Sequence, residues 1–292
     1  MMKRLLFLNF FLILFFIGCV IPESNHVEPE YHLLTSVTLD DNKTFRIPEV
    51  SFHVREVNLP PYLDDNRLVQ RKNRTSIDYL ENHRWGEPLG EGISRVIGLN
   101  LSTNFDSMAY SYYPNRSRQD VIFEISISII QLERVDTHNV VVDAMIEIFH
   151  KNNLQTQLKI KDIVPIADNE MSSGIMALSA CISKVSNLIA EQIYKLPASQ
   201  CLLVKSDNFE SDEESLEVLL SKLSSELLDK STTDFLDQDI VRISEDFGLT
   251  EYPLVSIRAK NTSFYEIIKL ISRKSGFPVK FTRTGIVFYS VP

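Results

Sequence analysis

Two stretches near the middle of the chain alternate between apolar and polar positions with a period of two. Val121, Phe123, Ile125, Ile127 and Ile129 interleave with Glu124, Ser126 and Ser128, and Val140, Val142, Ala144, Ile146 and Ile148 repeat the pattern in the next segment. Such alternation turns one face of a strand to a core and the other to water. The spacing predicts an antiparallel pair joined near residues 136–139. Residues 51–59, with Phe52, Val54 and Val57 among polar neighbours, read as a further strand stopped by Pro60 and Pro61. Residues 31–36 read as a short first strand, and residues 68–71 and 77–85 as a hairpin.

The period changes to three and four elsewhere. Leu89, Ile93, Val96, Ile97, Leu101 and Phe105 form one stripe, which predicts a helix over 88–105 with Pro88 in its first turn. Ile175, Leu178, Ile182, Val185, Ile189 and Ile193 predict a longer helix over 172–196, ended by Pro197. Residues 31–197 therefore read as one α/β (α+β) unit: an antiparallel or mixed sheet with two main helices on one face.

Beyond it, residues 205–251 hold fourteen Asp and Glu against Lys205, Lys222, Lys230 and Arg242, with Leu216, Leu219, Leu220, Leu223 and Leu227 at helical spacing. Residues 198–251 read as an acidic, partly helical connector. Residues 252–292 read as a small β-α-β-β module. Its strand ends in a capping box, Ser263-Phe264-Tyr265-Glu266, which opens a helix closed by Gly276, and two strands then turn about Gly285.

The 292 residues are 44% hydrophobic and 24% charged, ordinary for one large domain or two smaller ones. A formal net charge of −9 argues against nucleic acid, which needs a basic stripe. The first residues change the picture. Lys3 and Arg4 precede an apolar run over 5–17, then Gly18 and Cys19. A basic start, a short apolar stretch and a small residue make a secretory signal, here residues 1–18, with cleavage between Gly18 and Cys19. Phe16-Ile17-Gly18-Cys19 resembles the bacterial lipobox, in which the cysteine carries the lipid; Phe16 replaces the usual Leu. That resemblance implies attachment at Cys19, a polar tether over 19–30 and, from Val20 rather than Asp after the cysteine, the outer membrane.

Candidate catalytic chemistry is sparse. Gly92-Ile93-Ser94-Arg95-Val96 lacks the second glycine of a nucleophile elbow and lies in a predicted helix. No phosphate-binding Gly-rich loop occurs, so the chain is not itself a transport ATPase. The histidines at 26, 32, 53, 83, 138 and 150 show no metal-ligand spacing, and no Cys-x-x-Cys pair exists. The expectation is a protein that is not an enzyme, with no metal and no cofactor.

Three patterns carry a resemblance: Tyr31-His32-Leu33-Leu34 after the lipobox; Val57-Asn58-Leu59-Pro60-Pro61-Tyr62-Leu63-Asp64 followed by Leu68-Val69; and His83-Arg84-Trp85-Gly86-Glu87-Pro88-Leu89 running into the helix. With Ile189-Ala190-Glu191-Gln192-Ile193, this ordered set resembles the ABC-type transport auxiliary lipoprotein family, the PqiC-like lipoproteins, over residues 1–197. The resemblance implies a periplasmic α/β domain on the outer membrane, with MCE-domain proteins and inner-membrane transporter components as partners and no catalytic residues. The motif residues Pro60, Tyr62, Leu63, Trp85, Pro88 and Leu89 read as mostly structural, Trp85 as a core anchor. Tyr112-Tyr113-Pro114-Asn115 departs from the family's Tyr-Pro-Trp. Ring-shaped conduits would suit self-association. The C-terminal module resembles the short domain at the front of secretins and TonB-dependent receptors, which implies an alternative role in assembling an outer-membrane pore. Lipid binding in a cavity of its own is a third reading.

Overall fold

The computed structural model of this chain describes residues 27–37, 45–115, 120–230, 240–244, 252–283 and 285–289. The signal over 1–18, Cys19 and most of the tether lie outside the described residues.

The alternating segments form the centre of an eight-stranded mixed sheet. Strand β6 (Phe123–Arg134) pairs antiparallel with β7 (Asn139–His150), with Ile125 opposite Ile148 and Ile127 opposite Ile146. The register shifts between Ile129 and Gln131. This bulge reverses the parity, so Ile130 is exposed while Leu132 faces the core. On its other flank β6 pairs in parallel with β2 (Phe52–Asn58) and then with β3 (Arg67–Arg71). Strand β3 forms the expected hairpin with β4 (Ile77–Trp85), and β1 (Glu30–His32) runs parallel to β4 at the edge. Strand β5 (Tyr110–Tyr112) lies parallel to β2.

A strand unforeseen in the sequence, β8 (Asn153–Pro165), closes the other edge against β7. Its inward row is Thr156, Leu158, Ile160, Asp162 and Val164. The polar members dilute the pattern, and Asp162 is accommodated by an ion pair with Lys184 at 2.6 Å. Its outward Lys159 and Lys161 suit an edge strand.

Helices α1 (Leu89–Phe105) and α2 (Met171–Lys195) pack on one face of the sheet and on each other. Their predicted stripes are buried. Helix α2 is long and apolar enough to cross a membrane, yet 67% of its most apolar window is buried inside the protein. Pro88 occupies the position before α1 rather than its first turn, and Pro197 both ends α2 and opens the short α3 (Pro197–Leu203). The segment after β1 is stitched over the two helices. Arg95 Nη2 donates to Leu34 O at 2.9 Å, Thr35 N to Ser179 Oγ at 3.2 Å, and Ser183 Oγ to Val37 O at 2.7 Å.

The acidic tract is corrected most. Rather than a connector, it supplies β9 (Lys205–Ser215), α4 (Leu216–Lys230) and β10 (Val241–Ile243). Strand β9 fully buries only Ser206, Phe209 and Ser211, so its period was hidden, and Asp207, Glu210, Asp212 and Glu213 are exposed. The leucines of α4 are buried. Residues 231–239 and 245–251 lie outside the described residues.

The C-terminal elements appear where the sequence places them: β11 (Leu254–Ser263), α5 (Phe264–Ser275), β12 (Val279–Phe281) and β13 (Ile286–Phe288). Ser263 caps α5 by accepting from Glu266 N, and Gly276 closes it at φ 77°. They do not form one sheet. Strand β11 pairs with β9, while β12 and β13 pair with each other and β13 with β10. No Cβ fits at Gly285, where it would stand 2.6 Å from Ile240 O.

This part continues the core of the large sheet's end. Gln155 Nε2 donates to Phe281 O at 2.9 Å, Phe264 N to Val204 O at 3.0 Å, and the His150 ring packs against Phe123, Tyr265 and Phe281.

Candidate functional site

The motif residues meet at one end of the sheet. Past β2, Leu63 N donates to Pro60 O at 2.9 Å and closes a turn with Pro61 at the position where a fixed φ is favoured. Trp85 N donates to Asn66 O at 2.7 Å, which ties this turn to the end of β4. Pro60 is half-buried and Pro88 exposed.

Leu63, Trp85 and Leu89 line one apolar cavity with Leu68, Leu132 and Ile175. Trp85 is half-buried and packs against the core. The cavity's free volume is about 20 Å³. That is room for about one water, far from the roughly 300 Å³ or more of a small-molecule site.

The family-like patterns hold this end in shape. Glu87 pairs with Arg95 through Oε1 at 2.5 Å and lies over Gly92, where a Cβ would come within 2.9 Å of the same oxygen. Arg67 binds Asp65 at 3.0 Å and Glu81 at 2.8 Å, with its guanidinium over the Tyr79 ring. Tyr79 Oη in turn donates to Tyr62 O at 3.3 Å. The Tyr62 phenol is pushed up to about 12, first by burial and then by the neighbouring Glu133.

Outside the cavity, Pro88, Gly90 and Leu59 wall a cleft of about 280 Å³ whose polar groups are Glu56, Asn58, Asp64, Glu91 and Tyr113. Glu56, ahead of burial, raises the Tyr113 phenol. The cleft is acidic and open to solvent.

Two side-chain groupings escaped the sequence. The first is Arg71 with Glu133, which is 1% exposed and also accepts from Gln131 Nε2 at 2.9 Å. The second corrects the view of scattered histidines. The register of β1 on β4 sets Glu30 opposite His83 and His32 opposite Trp85, which brings His32 Nε2 to 3.1 Å from His83 Nδ1. Glu30 Oε2 is 3.5 Å from His83 Nδ1 and 4.0 Å from His32 Nε2. Both histidines sit in the patterns that carried the resemblance, a signal that sequence spacing alone does not convey.

Of the nucleophiles, Ser94 is fully buried and its hydroxyl lies 3.0 Å from Gly90 O. Cys181 and Cys201 are free and buried, and burial pushes the Cys181 thiol up to about 12.

The model of a family described as "ABC-type transport auxiliary lipoprotein component" matches residues 31–190. No curated protein matches the chain. Among solved structures, a crystal structure described as an uncharacterized protein shares 16% identity, covers 57% of this chain and 99% of its own, with a TM-score of 0.48. A Xanthomonas campestris protein described under family-model DUF330 shares 10% identity over 57% of this chain and 94% of its own, with a TM-score of 0.45. A dodecameric PelC variant from Paraburkholderia phytofirmans shares 9% over 55% and 89%, with a TM-score of 0.29.

Proposed function

This chain belongs to the ABC-type transport auxiliary lipoprotein family, and from that premise we propose that it is a non-catalytic docking component, anchored to the outer membrane through Cys19, for an MCE-type lipid transport system. The family is a lipoprotein component of ABC-type transport, so its members work with transporters at envelope membranes. The outer-membrane position, the MCE partner and the docking role are our reading.

The observation that carries it is the convergence of the Pro60 turn, Trp85 and Pro88 beside β1, the strand that receives the tether. Residues 20–29, fully extended, span at most about 35 Å, so this end of the sheet stays near the anchoring membrane. The carboxylates of Glu56, Asp64 and Glu91 in the adjacent cleft suit basic side chains of a partner. The small cavity behind Trp85 has no room for a lipid, which favours docking over lipid carriage at this end of the sheet.

Cys19→Ser tests the anchor. Two or three acyl chains hold a protein stably, whereas one holds it only reversibly. The variant is expected to lose all fatty-acid label at its N-terminus and to accumulate as uncleaved precursor or as released protein. Full membrane retention with label intact would contradict the anchoring.

A further inference from the structure

We propose that Glu30, His32 and His83 form a binding site for a divalent transition-metal ion of borderline softness, with Zn²⁺ as the type case, that clasps the tethered strand β1 to β4. The claim is independent of the docking role above. Its basis is geometric. A tetrahedral Zn²⁺ with ligand bonds of about 2.0–2.2 Å sets its ligand atoms about 3.4 Å apart. The three separations here are 3.1, 3.5 and 4.0 Å, between two imidazole nitrogens and one carboxylate oxygen. A small movement of Glu30, whose side chain is 69% exposed, closes the widest of them.

The donor set fits the metal class. Two imidazoles and one carboxylate suit Zn²⁺ and its neighbours, not Ca²⁺ or Mg²⁺, which take oxygen ligands. Three protein donors leave a fourth position for water or a donor from another molecule. The scaffold is set before binding. Glu30 and His32 stand two apart on one side of β1, and His83 faces them from β4. Gly86 N donates to His32 O at 2.9 Å, and a Cβ at Gly86 would come within 3.2 Å of the Leu33 side chain, so the two strands are held close.

The clasp has a physical use. Strand β1 is a three-residue edge strand that directly follows the tether. Pull on the tether acts on it first. Metal that binds only the folded arrangement stabilises it by mass action.

Binding is read on the full acylated chain in detergent, by Zn²⁺ titration against a chromophoric chelator and by the visible absorption of Co²⁺ in its place. One ion per chain, with micromolar or tighter affinity, a tetrahedral-type Co²⁺ spectrum and a rise in Tm of about 5 °C at saturating metal are expected. His83→Gln and Glu30→Gln should each weaken binding at least tenfold. Glu30 is exposed, so Glu30→Gln decides the matter even where His83→Gln fails to fold. No binding at 100 µM Zn²⁺, or equal binding by wild type and Glu30→Gln, would overturn the proposal.

Discussion

Arg71→Ala is expected to cost about 3–5 kcal/mol of folding stability. Glu133 lies on the outward side of β6, yet it is 1% exposed because Arg71 from β3 and Tyr62 from the Pro60 turn cover it. The guanidinium is the one cation paired with this carboxylate among the described residues. Without it, a buried charge keeps only the Gln131 amide and the neighbouring phenol. Removing one partner of such a pair is far more damaging than removing both. Arg71→Leu combined with Glu133→Leu should therefore recover most of the loss. Urea titration reads both effects as shifts of the midpoint at constant slope. A loss below about 1 kcal/mol for Arg71→Ala, the range of an exposed pair, would show that the carboxylate is solvated. The pair also fixes the register of β3 beside β6, and so the position of the motif turn that follows β2.

The second large effect is on acid stability. His150 is 1% exposed at the end of β7, with its ring centroid 4.9 Å from Phe281 and its Nε2 3.3 Å from Tyr265 Oη. Burial, then Lys151, lowers its pKa from 6.5 to about 4. Above pH 6.5 the imidazole is neutral in both folded and unfolded chains and contributes no pH dependence. Between pH 6.5 and 4 the unfolded chain takes up a proton that the folded chain refuses, so stability falls as pH drops. A shift of this size is worth about 3 kcal/mol by pH 4. Because carboxylates titrate nearby, the measurement is the difference in slope between wild type and His150→Gln from pH 7 to 4. The wild type should lose more, by about 3 kcal/mol. Parallel slopes would contradict the burial of a neutral ring. Since His150 joins β7 to α5 and β12, loss of the C-terminal elements should accompany the acid transition.

The sequence spoke most clearly where one face was apolar without interruption. The β6–β7 pair, both long helices and α5 with its Ser263 cap all stand where their spacing puts them. Legibility failed where polar side chains face inward with a partner of their own. Thr156 and Asp162 blurred β8, where Asp162, still partly exposed, pairs with Lys184 from α2. Strand β9 was read as part of an acidic, partly helical connector because Phe209 is the one apolar residue among its buried positions, and the strand exists by pairing with the distant β11. The bulge after Ile129 reversed the parity of β6, and no single-strand pattern conveys that reversal. At the site, the motif residues were legible as a set, but not their geometry. That Leu63, Trp85 and Leu89 share one cavity wall depends on the β3–β4 hairpin and on α2. That His32 meets His83 depends on the parallel register of a three-residue strand.

The central claim is that the motif end of the sheet docks a conduit protein. Site-specific photo-cross-linking in intact envelopes tests it most directly, with the photoreactive residue at Asp64 or Glu91 on the rim of the acidic cleft, and at Gln157 or Lys159 on the outward face of β8 for comparison. The account predicts an adduct with an MCE-domain protein from the first two positions and little from the second two. Adducts confined to the β8 face, or an outer-membrane pore captured at the cleft instead, would contradict it.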